Sequence, residues 1–244
     1  MNSRVDIEEV FSAVVKKCDG EIVHDTVGPS PPFANADYIF HQSKVVAELK
    51  CLKEDKSDDP AMKRRLGDLW LKWQREGLVQ GATPPTIDSR TLPHACQNEM
   101  CRTMGEPIKR CIQKANLQIR ATKSALNLPN YHGVLLLAND GNLIFEMPVM
   151  IHLISLTIKD HFHEIDSVAF FCGNMFSWVS GVERPVKFWI TLHRDETIVP
   201  LADLTNRLSK EWERHYSSIT GVGTEPTEIG DMEFFMRQMQ SHLV

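Results

Sequence analysis

No stretch of this 244-residue chain is apolar over the ~20 residues that a bilayer-crossing helix needs. The first ten residues also lack the apolar block of a secretory leader, because Arg4, Asp6, Glu8 and Glu9 fall within them. From these absences we expect a cytoplasmic protein with no membrane partner. Glycine-rich phosphate loops are missing as well. No Walker-type run occurs, and Gly221-Val222-Gly223 lacks both a preceding strand pattern and the third glycine of a dinucleotide fingerprint, which argues against an NTP- or NAD-dependent enzyme. The six cysteines, Cys18, Cys51, Cys96, Cys101, Cys111 and Cys172, are too scattered for a small disulfide scaffold, so reduced thiols are expected. Nor is there a basic excess. With a net charge of −5 the chain is not built to coat nucleic acid by bulk charge, and any such contact must be local. Two segments concentrate cations: Lys63, Arg64, Arg65, Lys72 and Arg75, and then Lys109, Arg110, Lys114, Arg120 and Lys123. Solvated helix faces account for most of them.

The residues that are present read as one α/β domain over 1–244, a mixed central sheet flanked by helices. Ile7, Val10, Phe11, Val14 and Val15 recur at helical spacing and predict an opening amphipathic helix. Residues 21–25 have a short apolar centre that predicts a first strand, and Gly28, Pro29, Pro31 and Pro32 forbid regular structure after it. Residues 34–40 and 44–51 are strand formers on either side of His41-Gln42-Ser43, which predicts a β-hairpin. A helix with Met62, Leu66, Leu69, Trp70 and Trp73 on one side comes next and stops at Gly77. Residues 78–105 show no sustained period and carry Pro84, Pro85 and Pro93, so an irregular insertion is expected there. Pro107 suits the first turn of a helix running to about Asn127 with Ile108, Ile112, Ala115, Ile119, Thr122 and Leu126 inward. The unbroken apolar run 133–138 predicts a strand covered on both faces. A helix opened by Pro148, strands at 168–172 and 186–192 and a helix over 201–216 complete the chain.

Chemistry concentrates on the hairpin. With the turn centred on Gln42-Ser43, residues whose numbers sum to 85 face each other, which sets Asp37 opposite Glu48. Directly opposed Cβ atoms lie roughly 4.5–5.5 Å apart. Lys50 shares the face of Glu48 because side chains alternate with period two. The opposite face, Ala36, Tyr38, Phe40, Val45, Ala47 and Leu49, is apolar and suited to a core. Two opposed carboxylates repel unless a cation lies between them, and Mg²⁺ commonly uses one or two carboxylates and leaves the rest of its octahedron to water and phosphate.

An Asp on one strand followed by Glu-x-Lys on the next resembles the PD-(D/E)xK superfamily of restriction and repair nucleases. Ala36 stands where that pattern has proline. The resemblance implies a restriction-endonuclease-like core and a Mg²⁺- or Mn²⁺-dependent nuclease acting on nucleic acid, DNA rather than RNA, as a homodimer or with a partner protein. It further implies that Asp37, Glu48 and the backbone carbonyl of Leu49 hold the metal and that Lys50 orients the attacking water. A supporting acid on the first helix would be Glu8 or Glu9, and Lys114 and Gln118, four residues apart on one helix, would lie beside the site.

Three other readings compete. One is a catalytically inactive module of the same fold that binds nucleic acid or a partner protein. A second makes the triad an exposed strand end in which Glu48 merely pairs with Lys50. The third is a zinc site from His94, Cys96, Cys101 and Cys111, whose spacing fits no pair of Cys-x-x-Cys knuckles. The His161-x-His163 pair and His193 read as surface residues of loops and carry no assigned role.

Overall fold

A computed structural model describes residues 4–28, 30–53, 59–84, 87–141, 147–160, 162–174, 187–194 and 199–221. His161 and the Val222-Gly223 pair lie outside them. The helix α1 (Ile7–Lys17) opens behind an Asp6 N-cap, whose carboxylate accepts the N–H groups of Glu8 and Glu9. Replacing Asp6 by alanine leaves those donors to water and should cost about 1 kcal/mol in a denaturant titration. Next come β1 (Glu21–Ile22), the five-residue helix α2 (Val23–Val27), β2 (Tyr38–Phe40) and β3 (Val45–Leu52). The chain continues through α3 (Pro60–Arg75), α4 (His94–Ala125), β4 (His132–Asn139), α5 (Met147–Asp160), β5 (Ser167–Cys172), β6 (Trp189–His193) and α6 (Val199–Thr220).

The six strands lie in sequence order in one sheet. β1, β2 and β3 are antiparallel, β3 to β5 are parallel, and β6 returns antiparallel. Each parallel step needs a crossover, supplied by α3 with α4 and then by α5. One face of the sheet packs on α1 and α6, where Phe11, Phe171, Trp189 and Trp212 form an aromatic cluster with Phe11–Phe171 centroids 5.5 Å apart. α4 and α5 cover the other face through Ile108, Ile112, Ile119 and Ile154. β4 lies between these layers with Val134 to Ala138 wholly buried, as its unbroken apolar run predicts. Among the described residues no helix is long and apolar enough to cross a membrane.

Three expectations require correction, the first being the strand expected over 34–40, which is only Tyr38–Phe40 and so leaves Asp37 outside it. The insertion at 78–105 is irregular only in its first part: α4 begins at His94 and runs 32 residues straight through Pro107 rather than starting there. Cys96 and Met100 explain the early start, since they pack on Trp70 and Trp73 of α3 in a separate small core that a stripe-by-stripe reading of α4 does not reveal. Similarly, the strand expected over 21–25 ends at Ile22, and Val23 turns inward as the first residue of α2, fully buried against α4 and α5.

Candidate active site

β3 carries the site. Val45, Ala47 and Leu49 turn toward α1 and α6, so alternation turns Val46, Glu48 and Lys50 toward α4. The register pairs Tyr38 with Ala47, Ile39 with Val46 and Phe40 with Val45, and its continuation sets Asp37 against Glu48. Asp37 itself lies just before β2 begins. Instead of a backbone ladder bond, its Oδ2 accepts the N–H of Leu49 at 2.8 Å. An extended residue turns its N–H and C=O to the same side, so the Leu49 carbonyl shares the Asp37 side of the strand.

The Glu48 side chain is only 1% exposed. Lys50 Nζ donates to Glu48 Oε1, while Oε2 is buried without a hydrogen-bond partner. Burial, followed by the charge of Asp37, pushes Glu48 up to about 8 against the pull of Lys50. Burial also raises Asp37, opposed by the Leu49 N–H and by Lys50. A proton on Glu48 is placed to be shared with Asp37. The pairing of Lys50 with Glu48 is the contact expected of a bland strand end, but burial of the carboxylate makes the end anything but exposed.

The structure sorts the supporting residues. Glu8 extends from α1 to Lys53 at 3.2 Å, and its charge reaches Asp37, Tyr38 and Cys51, whereas Glu9 is exposed on α1. Gln118 is beside the site's backbone, its Nε2 donating to the Asn35 carbonyl at 2.9 Å. Lys114 is exposed on the same shoulder of α4 and acts on Cys111, which also feels Lys50 and Glu48. Cys111 is thus a thiol that feels the site's charges, and burial pushes it up to about 11, leaving it protonated at neutral pH. The other basic residues do not gather at the site as a block: Lys72 pairs with Glu99 and Lys123 with Glu164.

No zinc site forms among the described residues, where no three His, Cys, Asp or Glu side chains converge. All three cysteines lie on α4, but Cys96 is buried against the α3 tryptophans while Cys101 and Cys111 pack against the main core, so they serve two separate clusters. His193 bonds the Ser167 hydroxyl at 2.9 Å and His163 meets Arg194, so both are satisfied locally. Sequence reasoning missed Thr122 as anything but a stripe residue, although a hydroxyl in an otherwise apolar inner stripe is itself a signal that a buried partner awaits it.

Comparison with protein-family models, with curated proteins and with solved structures finds no match to the chain.

The donor set suits a hard divalent cation. Glu48 Oε2 is a buried oxygen without a donor, the Asp37 carboxylate faces it across the register, and the Leu49 carbonyl shares that side. These are all oxygen donors, as Mg²⁺ and Mn²⁺ prefer. Two carboxylates and a carbonyl are within what Mg²⁺ commonly takes from a protein, and among the described residues no third His, Cys, Asp or Glu side chain joins them.

Proposed function

We propose that the chain is a metal-dependent nuclease in which Asp37, Glu48 and the Leu49 carbonyl hold Mg²⁺ or Mn²⁺ and Lys50 assists hydrolysis of a phosphodiester. The carrying observation is the buried Glu48 oxygen that no donor group of the fold meets, set beside a second carboxylate: such a pair is kept only by holding a proton or a cation between its members. The order of elements supports a PD-(D/E)xK-like core: a helix, three antiparallel strands, helices and a parallel fourth strand, with the acid before the second strand and Glu-x-Lys in the third.

Bound there, the ion would lower the pKa of its water and neutralise phosphoryl charge. The chain's own residues set the conditions. Asp37 and Glu48 must shed the proton they share before both can act as anionic ligands, so binding competes with protonation up to about pH 8. Lys50, released from Glu48, is a three-donor cation within reach of the same space and can steady an incoming water or a phosphoryl oxygen. A pH dependence is therefore expected: between pH 6 and 8 metal affinity and cleavage rise, by up to about tenfold per unit as one proton is displaced, and level off above 8. Titrating Mn²⁺ at fixed ionic strength across that range checks the slope. A flat profile removes the coupled acid pair from the reading.

One observation favours the rival, an inactive module that binds nucleic acid or a partner protein: Lys50 already neutralises one Glu48 oxygen. The deciding assay incubates single- and double-stranded DNA and RNA with the protein in Mg²⁺, Mn²⁺ or EDTA, beside Lys50→Ala. Divalent-dependent cleavage that Lys50→Ala reduces about a hundredfold or more is expected. Binding without cleavage in every divalent condition hands the assignment to the rival.

A further inference from the structure

Asp37 belongs to no regular element, yet its carboxylate must stand still to face Glu48. The backbone around it is anchored from elsewhere. Thr122, fully buried on α4, accepts the Ala36 N–H on its Oγ1 at 2.7 Å. Gln118, one turn earlier, donates from Nε2 to the Asn35 carbonyl at 2.9 Å. The Asn35 side chain bonds the Ala36 carbonyl at 3.0 Å, and the Asp37 carbonyl accepts the Val23 N–H at 2.9 Å. The backbone from the Asn35 carbonyl to the Asp37 carbonyl is therefore held at four groups, two of them by side chains of α4.

The orientation of Gln118 supports a role of its own. Its Oε1 is buried without a partner, so the amide forgoes a bond at one end while holding Asn35 at the other. Turning the amide over would set two oxygens against each other at the Asn35 carbonyl.

We infer that Thr122 and Gln118 are positioning residues: from a helix more than 80 residues away in sequence they hold the 35–37 backbone so that the Asp37 carboxylate meets the Leu49 N–H and stands opposite Glu48. Their effect on metal affinity rests on the function proposed above, but their effect on the Leu49 hydrogen bond does not.

The test uses the full chain with Thr122→Val, which keeps the shape and loses the acceptor, Thr122→Ser, which restores it, and the milder Gln118→Met. Amide hydrogen exchange is measured without metal and Mn²⁺ affinity beside it. In Thr122→Val the Leu49 amide exchanges at least tenfold faster while Leu135 and Leu137 in β4 keep their protection; Thr122→Ser returns Leu49 to within about threefold of wild type, and Gln118→Met lies between. Mn²⁺ affinity weakens about tenfold in Thr122→Val. Unchanged exchange at Leu49, or a loss shared equally by β4, overturns the inference. Wild-type protein that takes up no Mn²⁺, but whose Leu49 amide responds as stated, overturns the metal reading and leaves the positioning role standing.

Discussion

Replacing Glu48 by glutamine is expected to remove the proposed divalent-dependent cleavage, by on the order of a thousandfold or more, and at the same time to stabilise the metal-free fold at pH 8. Both effects have one cause. A glutamine amide reproduces the neutral acid: its oxygen can accept from Lys50 and its NH₂ can donate to Asp37, but it cannot serve as an anionic ligand. The folded carboxyl titrates near 8 against an ordinary 4.5. Below about pH 4.5 both folded and unfolded states carry the proton and the shift has no effect on stability. Between 4.5 and 8 the unfolded state ionises while the folded state keeps its proton, so stability falls as pH rises, and above 8 the loss is complete. At about 1.4 kcal/mol per pK unit this amounts to several kcal/mol at most. The variant lacks that slope. Denaturant unfolding at pH 5 and pH 8 should show Glu48→Gln gaining on wild type by roughly 1–3 kcal/mol over the interval. A variant that tracks wild type at both pH values contradicts the buried, proton-holding state of Glu48.

Gly133→Ala should cost roughly 3 kcal/mol or more and lower the melting temperature by about 6–12 °C. A Cβ at Gly133 would lie 1.8 Å from the Glu164 carbonyl oxygen and 2.9 Å from its carbon, and both obstacles are backbone. That backbone cannot retreat freely, since the Gly133 N–H is held by Asp166 Oδ2 and its carbonyl by the Asp166 N–H, each at 2.8 Å. Gly133 also pairs with Val46 across the β3–β4 ladder, so the strain is passed toward the strand that carries Glu48. Scanning calorimetry gives the answer directly. A shift under about 2 °C would mean that the 162–166 turn yields.

The hairpin was legible because its register is arithmetic. One turn and a period-two alternation decide which side chains meet, and the pairing found, Phe40 with Val45 onward, keeps the sum that placed Asp37 opposite Glu48. The sheet's centre was equally readable, because β4 is apolar without interruption. α4 was half legible. Pro107 matched the first turn of a helix so well that it hid the helical residues from His94 onward, and contact with Trp70 and Trp73, a tertiary fact, is what holds them helical. Val23 to Val27 carries strand-forming residues, yet burial of Val23 and the departure of the chain from the sheet favour a short helix.

The meeting of the two carboxylates was legible, and the groups that hold the backbone beside them were not. Ala36 in place of the expected proline read as a departure from the motif. In the fold its N–H is the donor to Thr122, a bond that proline could not make. The distance along the chain from 36 to 122 is why no pattern of short spacing shows it. The ion pair of Lys50 with Glu48 is set by an i, i+2 arrangement on one face, but the depth of Glu48 is set by α4 lying over it.

Mn²⁺-induced broadening of backbone amide resonances tests the central claim most directly. At pH 8, substoichiometric Mn²⁺ should bleach amides around Asp37 and from Glu48 to Lys50 first, and in Glu48→Gln those signals should survive the same addition. Broadening that leaves 37 and 48–50 untouched, or that is equal in the variant, would contradict a metal centre on this hairpin.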